Sequence, residues 1–486
     1  MKLPLGKNLV LTAAALGTVA LFCGFGGNAP AVGSSQSAAP IVYVSAPVYD
    51  PLAALKGEER FPQGGQIFFF DNATKKSSLL VPGFFAAVDP NVSFDAKSLL
   101  FSGKKSAGDA WQIYEMKLAS REVRAVFAVA EDEKPTDLIR PLYLPQNRLV
   151  YTRRTASGFA LEAAQLNGTK IMPLSAIPAS ALPVDVLEDG RVLFESNYPL
   201  GMGATPELFL VYSDGSGVES YRCDHPGEKE ARFNEPDASS FTGRWGGHQS
   251  ANGDVLFTHG ESLARFTSAL KEEASLDAPK IAYSDGPVEF DANTWLLSAT
   301  TAKSKHFSLT LYSPASKSVH LLVADGSNDL VEPVLLAART APHQHPSGLH
   351  DWKYGNFLAL DVRTTRDAPL AGEAVTVRMQ ALDTDGKVVE LGSAPVESDG
   401  SFFVQTTGNT PVRFILEDKA GHTLRAERGW IWIAKGEQRI CVGCHQGPER
   451  ASENKVPAVL LRTTTPADLN LKATSQTQKS DAAGEN

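Results

Sequence analysis

Short apolar stretches recur along the middle of the chain, each cut off by a polar turn. Residues 66–71 read Gln-Ile-Phe-Phe-Phe-Asp and lead through a turn to a second apolar piece ending at Val81. The same strand–turn–strand unit returns at 112–126, 159–174, 207–221, 263–283 and 307–323. A second unit, a polar turn feeding a short apolar strand, precedes most copies, at 94–101, 146–151, 189–194, 252–257 and 291–297. Strand runs separated by Asp, Asn and Gly turns at a period of roughly 40–60 residues are the mark of a repeat architecture. Each unit would make a four-stranded sheet that cannot bury its own faces, so neighbours must stack radially. The pattern predicts an all-β chain with a six-bladed β-propeller over residues 64–340, in which 332–336 close the ring by completing the first blade. The Asp and Gly residues at the turns set backbone angles and are assigned no chemistry.

Beyond Pro342 the pattern changes. Residues 341–355 form a Pro/Gly-containing linker that carries His343, His345 and His350. Alternating strands follow at 357–362, 374–381, 388–391, 401–405, 411–417 and 423–433, with turns at 383–386, 399–400 and 418–421. The alternation fits strands with one buried face, and predicts an immunoglobulin- or transthyretin-like β-sandwich over 356–438. In its last strand Trp430 and Trp432 share one face and Ile431 and Ile433 the other. Either one face lines the sandwich core while the other contacts a cofactor, or both faces are ordinary core and interface.

That cofactor is read from a pentapeptide in the segment 439–461: Cys441, Val442, Gly443, Cys444 and His445. Two thiols two residues apart can each bond one vinyl group of a porphyrin, and the next histidine can give its imidazole to the iron as proximal ligand. The spacing predicts one haem c. Cysteine is scarce, four in 486 residues. The alternative is a zinc site in which Cys441, Cys444 and His445 join His343 or His345.

The N-terminus bears on where such chemistry occurs. Lys2 and Lys7 precede an apolar run at 9–22, and small residues follow. Residues 1–33 therefore read as a secretory signal or an N-terminal anchor, and 34–63, rich in Ser, Ala, Pro and Gly, as a linker. Export to the periplasm or beyond suits haem attachment, leaves Cys223 a thiol without a partner, and allows membrane contact at the N-terminus alone. The net charge of −9 and the lack of a Lys/Arg block argue against nucleic acid as a partner. No Gly-x-Ser-x-Gly, P-loop, dinucleotide fingerprint or His-Glu-x-x-His occurs. Residues 462–486 are polar and read as a disordered tail.

Two resemblances follow. Residues 90–101, Pro-Asn-Val-Ser-Phe-Asp-Ala-Lys-Ser-Leu-Leu-Phe, resemble the repeat of TolB-type, WD40-like propellers. The sixfold repeat, the sandwich strands and the run Trp430 to Arg450, with Cys-Val-Gly-Cys-His-Gln-Gly-Pro-Glu at its centre, resemble the group related to the hydrazine synthase alpha subunit. The resemblance spans most of residues 64–461 and implies a secreted protein that combines a propeller, a β-rich domain and c-type haem. The alpha subunit carries two haems, whereas this chain has one Cys-x-x-Cys-His and no residues matching a dedicated hydrazine-forming site.

The sixth iron position decides what such a haem does. No histidine follows His445, so a protein ligand there must come from earlier in the chain. His343, His345 and His350 lead, followed by His248, His259 and Met202. Arg439 and Arg450 could pair with haem propionates. Three functions are weighed: an electron-transfer cytochrome whose propeller docks a redox partner protein, a haem oxidoreductase acting on a small nitrogen compound or peroxide, and a propeller interaction protein with structural zinc.

Overall fold

A computed structural model describes residues 39–128, 135–197, 206–221, 243–268, 273–301, 304–364, 369–383, 386–427, 430–443 and 455–470. The expectations for the N-terminal signal, Met202, Cys223, Cys444, His445, Arg450 and the last sixteen residues fall outside these. Among the described residues no helix is long and apolar enough to cross a membrane.

Six four-stranded antiparallel sheets follow one another from Ile41 to Leu335. Each shares a buried apolar layer with the next. Leu100 and Ile113 of the second sheet meet Leu149 and Tyr151 of the third. Leu193 and Leu210 of the fourth meet Phe257 and Phe266 of the fifth. Leu263 of the fifth meets Leu297 and Tyr312 of the sixth. Phe290, Leu296 and Leu309 of the sixth meet Ile41, Tyr43 and Phe70 of the first. The layers close on themselves, and the architecture is a β-propeller.

The first sheet is built from both ends of the repeat. Its innermost strand, Asp329–Leu335, pairs with Ile41–Ala46, and Gln66–Asp71 and Lys76–Leu79 complete it. Closure by residues around Glu332 matches the expectation. The strand Ile41–Ala46 corrects it, because it lies within the stretch read as a linker. Its sequence, Ile-Val-Tyr-Val-Ser-Ala, is almost wholly buried, and both of its faces meet neighbouring sheets. A strand buried on two faces shows no alternation, and this one hid among the small residues around it.

A bulge interrupts every innermost strand at its middle. In four of them the bulged residue takes positive φ: Asp89, Arg140, Gly246 and Glu332. Proline follows three of these, Pro90, Pro141 and Pro333. A proline cannot donate to the ladder and is tolerated at such a break.

The C-terminal part is a sandwich of two four-stranded sheets. One runs Gln438–Cys441, Tyr354–Ala359, Phe402–Thr407, Ala467–Asp468; the other runs Val388–Pro395, Thr376–Leu382, Val412–Glu417, Thr423–Ala426. Phe357, Val404, Val377, Met379 and Leu416 fill the space between them. Three boundaries differ from the sequence reading. The last long strand stops at Ala426, and Ile431 keeps only a single bridge to Val412. The strand Gln438–Cys441 carries the sandwich into the segment assigned to haem alone. The polar tail contributes a strand at Ala467–Asp468, and Leu469 is buried in the sandwich core. Two apolar residues two apart were too short a signal against a polar background.

Candidate haem-attachment site

Cys441 is the last residue of an edge strand. Gln438–Cys441 runs parallel to Tyr354–Ala359, with Cys441 beside Ala359, and the Leu360 amide donates to the Cys441 carbonyl at 2.9 Å. Side chains alternate along the strand. Cys441 packs against the sandwich core, as does Leu424 of the outermost strand in the other sheet, whereas Ile440 beside Leu358 is 59 % exposed. Burial pushes the Cys441 thiol up to about 11, Arg439 pulling it down while Glu427 and Glu437 add to the rise. It therefore rests as the protonated thiol, the less reactive form.

Two turns fix the chain on either side of the motif. A Cβ on Gly443 would collide with the Thr364 carbonyl, so the absence of a side chain lets the backbone lie against the turn 361–364. Arg363 ties that turn together, its Nε donating to Asp361 at 2.7 Å and its Nη2 to the Asp399 carbonyl at 2.6 Å. Where the chain re-enters, the Ala458 amide donates to Asp399 at 2.7 Å and the Val459 amide to Ser401 at 3.1 Å. Residues 443 and 458 are thus held by neighbouring turns at one end of the sandwich. The short helix Ala458–Arg462 docks through Val459 onto Leu358 and Phe403. The apolar piece at 456–461 therefore packs on the sandwich. Val456 and Leu461 stay 60 % and 76 % exposed.

The haem reading of this end of the sandwich rests on the residue spacing, since Cys441 packs on the sandwich core and Cys444 and His445 lie outside the described residues. The donor set is two thiols and an imidazole at the spacing haem c requires. Ile440, next to Cys441, and Val456 and Leu461, in the segment that re-enters at the sandwich, are bare apolar side chains. Among the described residues no three His, Cys, Asp or Glu side chains converge into a metal cage.

The three histidines proposed for the sixth position lie along the fourth propeller sheet and the start of the motif strand. The His343 amide donates to the Glu188 carbonyl at 2.8 Å, and its own carbonyl lies against Gly190. The His345 ring stacks on Tyr212 with centroids 4.0 Å apart. His350 pairs through its backbone with Gly436. Four residues lie between Gly436 and Cys441, a span of at most roughly 16 Å at strand rise.

Other candidates are engaged elsewhere. His248 sits 3.8 Å from Asp285, and His259 bonds Glu273 at 2.5 Å, both within the propeller. Arg439 pairs with Glu437 at 2.9 Å and donates to the Val218 carbonyl at 2.9 Å, while Glu437 accepts from the Gly217 amide at 3.1 Å. These bonds clamp the motif strand to the fourth propeller sheet. The tryptophan face is spent on packing. Trp432 is buried with Ile177, Val211 and Val218 of the propeller, Trp430 lies under the Arg413 guanidinium at 4.8 Å, and Ile431 and Ile433 face the sandwich core. Sequence reasoning missed Gly443 and Glu437. Gly443 carried a visible signal, a glycine inside a metal-binding spacing, but its partner Thr364 is 79 residues away.

Fold and site together define a class: a β-propeller clamped to a β-sandwich whose edge strand leads into a Cys-x-x-Cys-His. Residues 359–446, which include that strand and the pentapeptide, match the family profile described as "Hydrazine synthase alpha subunit middle domain", and the chain is related to that subunit. The solved hydrazine synthase of Kuenenia stuttgartiensis superposes with a TM-score of 0.71 at 15 % identity, covering 87 % of this chain and 72 % of that one. TolB from Acinetobacter baumannii aligns with a TM-score of 0.44 at 14 % identity over 64 % of this chain and 68 % of that one. No curated protein matches the chain by sequence.

Proposed function

We propose that this chain is an exported c-type haem protein related to the hydrazine synthase alpha subunit. It holds one haem through Cys441 and Cys444, with His445 as proximal ligand, and passes electrons to or from a partner protein that docks on the propeller. The observation that supports this most is the position of the pentapeptide: it lies inside the family-matched residues and leaves a strand that is tied down at Cys441 and Gly443. Haem at this place would supply a one-electron couple. The chain's own part is to hold the attachment strand rigid through Glu437 and Arg439 and to offer apolar cover from Ile440, Val456 and Leu461.

The test is covalent retention. The matured protein should keep its pigment through denaturing electrophoresis and acidified acetone, and Cys441→Ala with Cys444→Ala should lose it. A colourless protein overturns the reading. Carbon monoxide added to the reduced protein then separates functions. An unchanged spectrum supports the electron carrier, and rapid binding replaces it with the oxidoreductase reading.

A further inference from the structure

The propeller axis is covered at both mouths. Residues 47–65, between the second and third strands of the first sheet, lie across one. Their backbone carbonyls accept from Ser180 at Ala54, from Asn197 at Leu55 and from Arg154 at Gly57, at 2.7, 2.9 and 2.8 Å. Leu55 and Phe61 pack on Val88, Ile139 and Leu182 from three innermost strands. The chain leaving the last strand crosses the other mouth. The Arg339 amide donates to Phe94 in the second sheet and the His343 amide to Glu188 in the fourth.

Between these covers lies a charged network built on the bulges. Arg60 descends from the first cover, only 4 % exposed, and pairs with Asp89 and, at 2.6 Å, with Glu332. The Asp89 amide donates to Glu332 at 2.8 Å, and the Arg140 amide to Asp89 at 3.0 Å. The Arg140 side chain pairs with Glu195 at 2.5 Å. Glu195 also accepts from the Gly246 amide at 3.0 Å. A Cβ on Gly246 would strike Asp285, whose carboxylate faces His248 at 3.8 Å. Tyr49 faces Arg60, its ring centroid 5.9 Å from the guanidinium carbon. Asp185, further along, accepts from the Gln249 amide at 2.8 Å and interacts by charge with Arg339 of the second cover.

Four carboxylates, those of Asp89, Glu195, Asp285 and Glu332, therefore share this space with two guanidiniums. A surplus of buried charge without counter-charge costs several kcal/mol per ion in order-of-magnitude terms, so such sites bind protons instead. We propose that the propeller folds with two protons held in its axis, one on Glu332 and one on His248, so that folding takes up protons and the propeller is most stable on the acid side of neutrality. Glu332 is the carboxylate that must share Arg60 with Asp89, and His248 is the base beside Asp285.

The titration directions agree. Burial pushes Glu332 up to about 7, more than Arg60 offsets, with Asp89 adding to the rise. Burial works against a charged His248, but the nearby carboxylate of Asp285 outweighs it and that of Asp185 adds to it, leaving it above its ordinary value. Both groups hold protons more tightly folded than unfolded. Their stabilisation is complete below the unfolded values and is lost as pH rises through the folded ones. Asp89 and Asp285 are held low, Arg60 and His248 respectively outweighing burial, and act at the acid limit.

The test uses the purified full-length protein. The thermal midpoint should fall as pH is raised from about 5.5 to 8. An infrared band from a protonated carboxyl should persist near neutral pH, vanish in Glu332→Gln and survive in Glu122→Gln, an exposed control. The His248 ring, followed by NMR, should titrate above an unperturbed histidine. A midpoint that does not move over that range, or the absence of a carboxyl band lost on Glu332→Gln, overturns the proposal. So does a midpoint at alkaline pH that a chelator lowers and added calcium restores, because a metal ion would then balance the carboxylates.

Discussion

Gly443 shows how one missing side chain can orient a site. Its backbone lies against Thr364, and a methyl group there would meet the carbonyl oxygen. Gly443→Ala should displace the chain between Cys441 and Cys444 while leaving the sandwich folded, because the strand register at Asn356–Ala359 lies upstream of it. The expected outcome is a several-fold drop in the fraction of protein carrying covalent haem, with an unchanged far-ultraviolet circular dichroism spectrum. Normal haem content would show that the contact with Thr364 is dispensable. Cys441, Cys444 and His445 can be proposed from sequence because haem attachment would be a local requirement met within five residues. Gly443's contact and the Glu437–Arg439 clamp were not, since their partners come from distant turns that spacing along the chain does not report.

At the scale of elements, the piece between Ala426 and Gln438 does two jobs. Ile431 and Ile433 finish the sandwich core, and Trp432 is buried on the propeller side. The alternation of Trp and Ile was readable from the sequence. The surface each face would meet was not, because alternation fixes which residues share a side and leaves the neighbour open. Trp432→Ala should remove about 3–5 kcal/mol. The loss should appear in calorimetry as a sandwich transition that separates from the propeller transition. A single undivided transition at the original midpoint would show that the two bodies are coupled by other contacts. The sandwich strands from 376 to 417 were legible within a few residues, each being an apolar run bounded by a polar turn. The strand Ile41–Ala46 and the strand Ala467–Asp468 were not. The first lacks alternation because both faces are buried, and the second is too short to show any.

For the whole molecule, the closed ring makes distant parts of the chain depend on each other. Removing residues 39–46 should strip Asp329–Leu335 of its partner and open the layer formed by Phe290, Leu296 and Leu309 with Ile41 and Tyr43. The expected result is a loss of cooperative unfolding and rapid proteolysis across the first and sixth sheets. A truncated protein with native protease resistance would contradict this. The propeller itself was legible because six imperfect copies reinforce one another. Its axis was not: Arg60 sat in a stretch without strand pattern, Asp89 and Arg140 fell between the recurring units, and Glu332 stood out only as part of the segment that closes the ring. Their common position emerges only when the bulges are superposed around the ring, and the pH dependence of the axis belongs to that collective.

The shared first sheet also sets an order of assembly. Strands at 41–79 emerge early from the ribosome but cannot obtain their inner neighbour until residue 335 has been made, nearly three hundred residues later. Until then their inner side is an unpaired sheet edge, the kind of surface that joins other chains. Synthesis interrupted before that point yields a chain with an open sheet edge, prone to joining another chain, and the cysteines at 441 and 444 follow only after the circle has had the chance to shut.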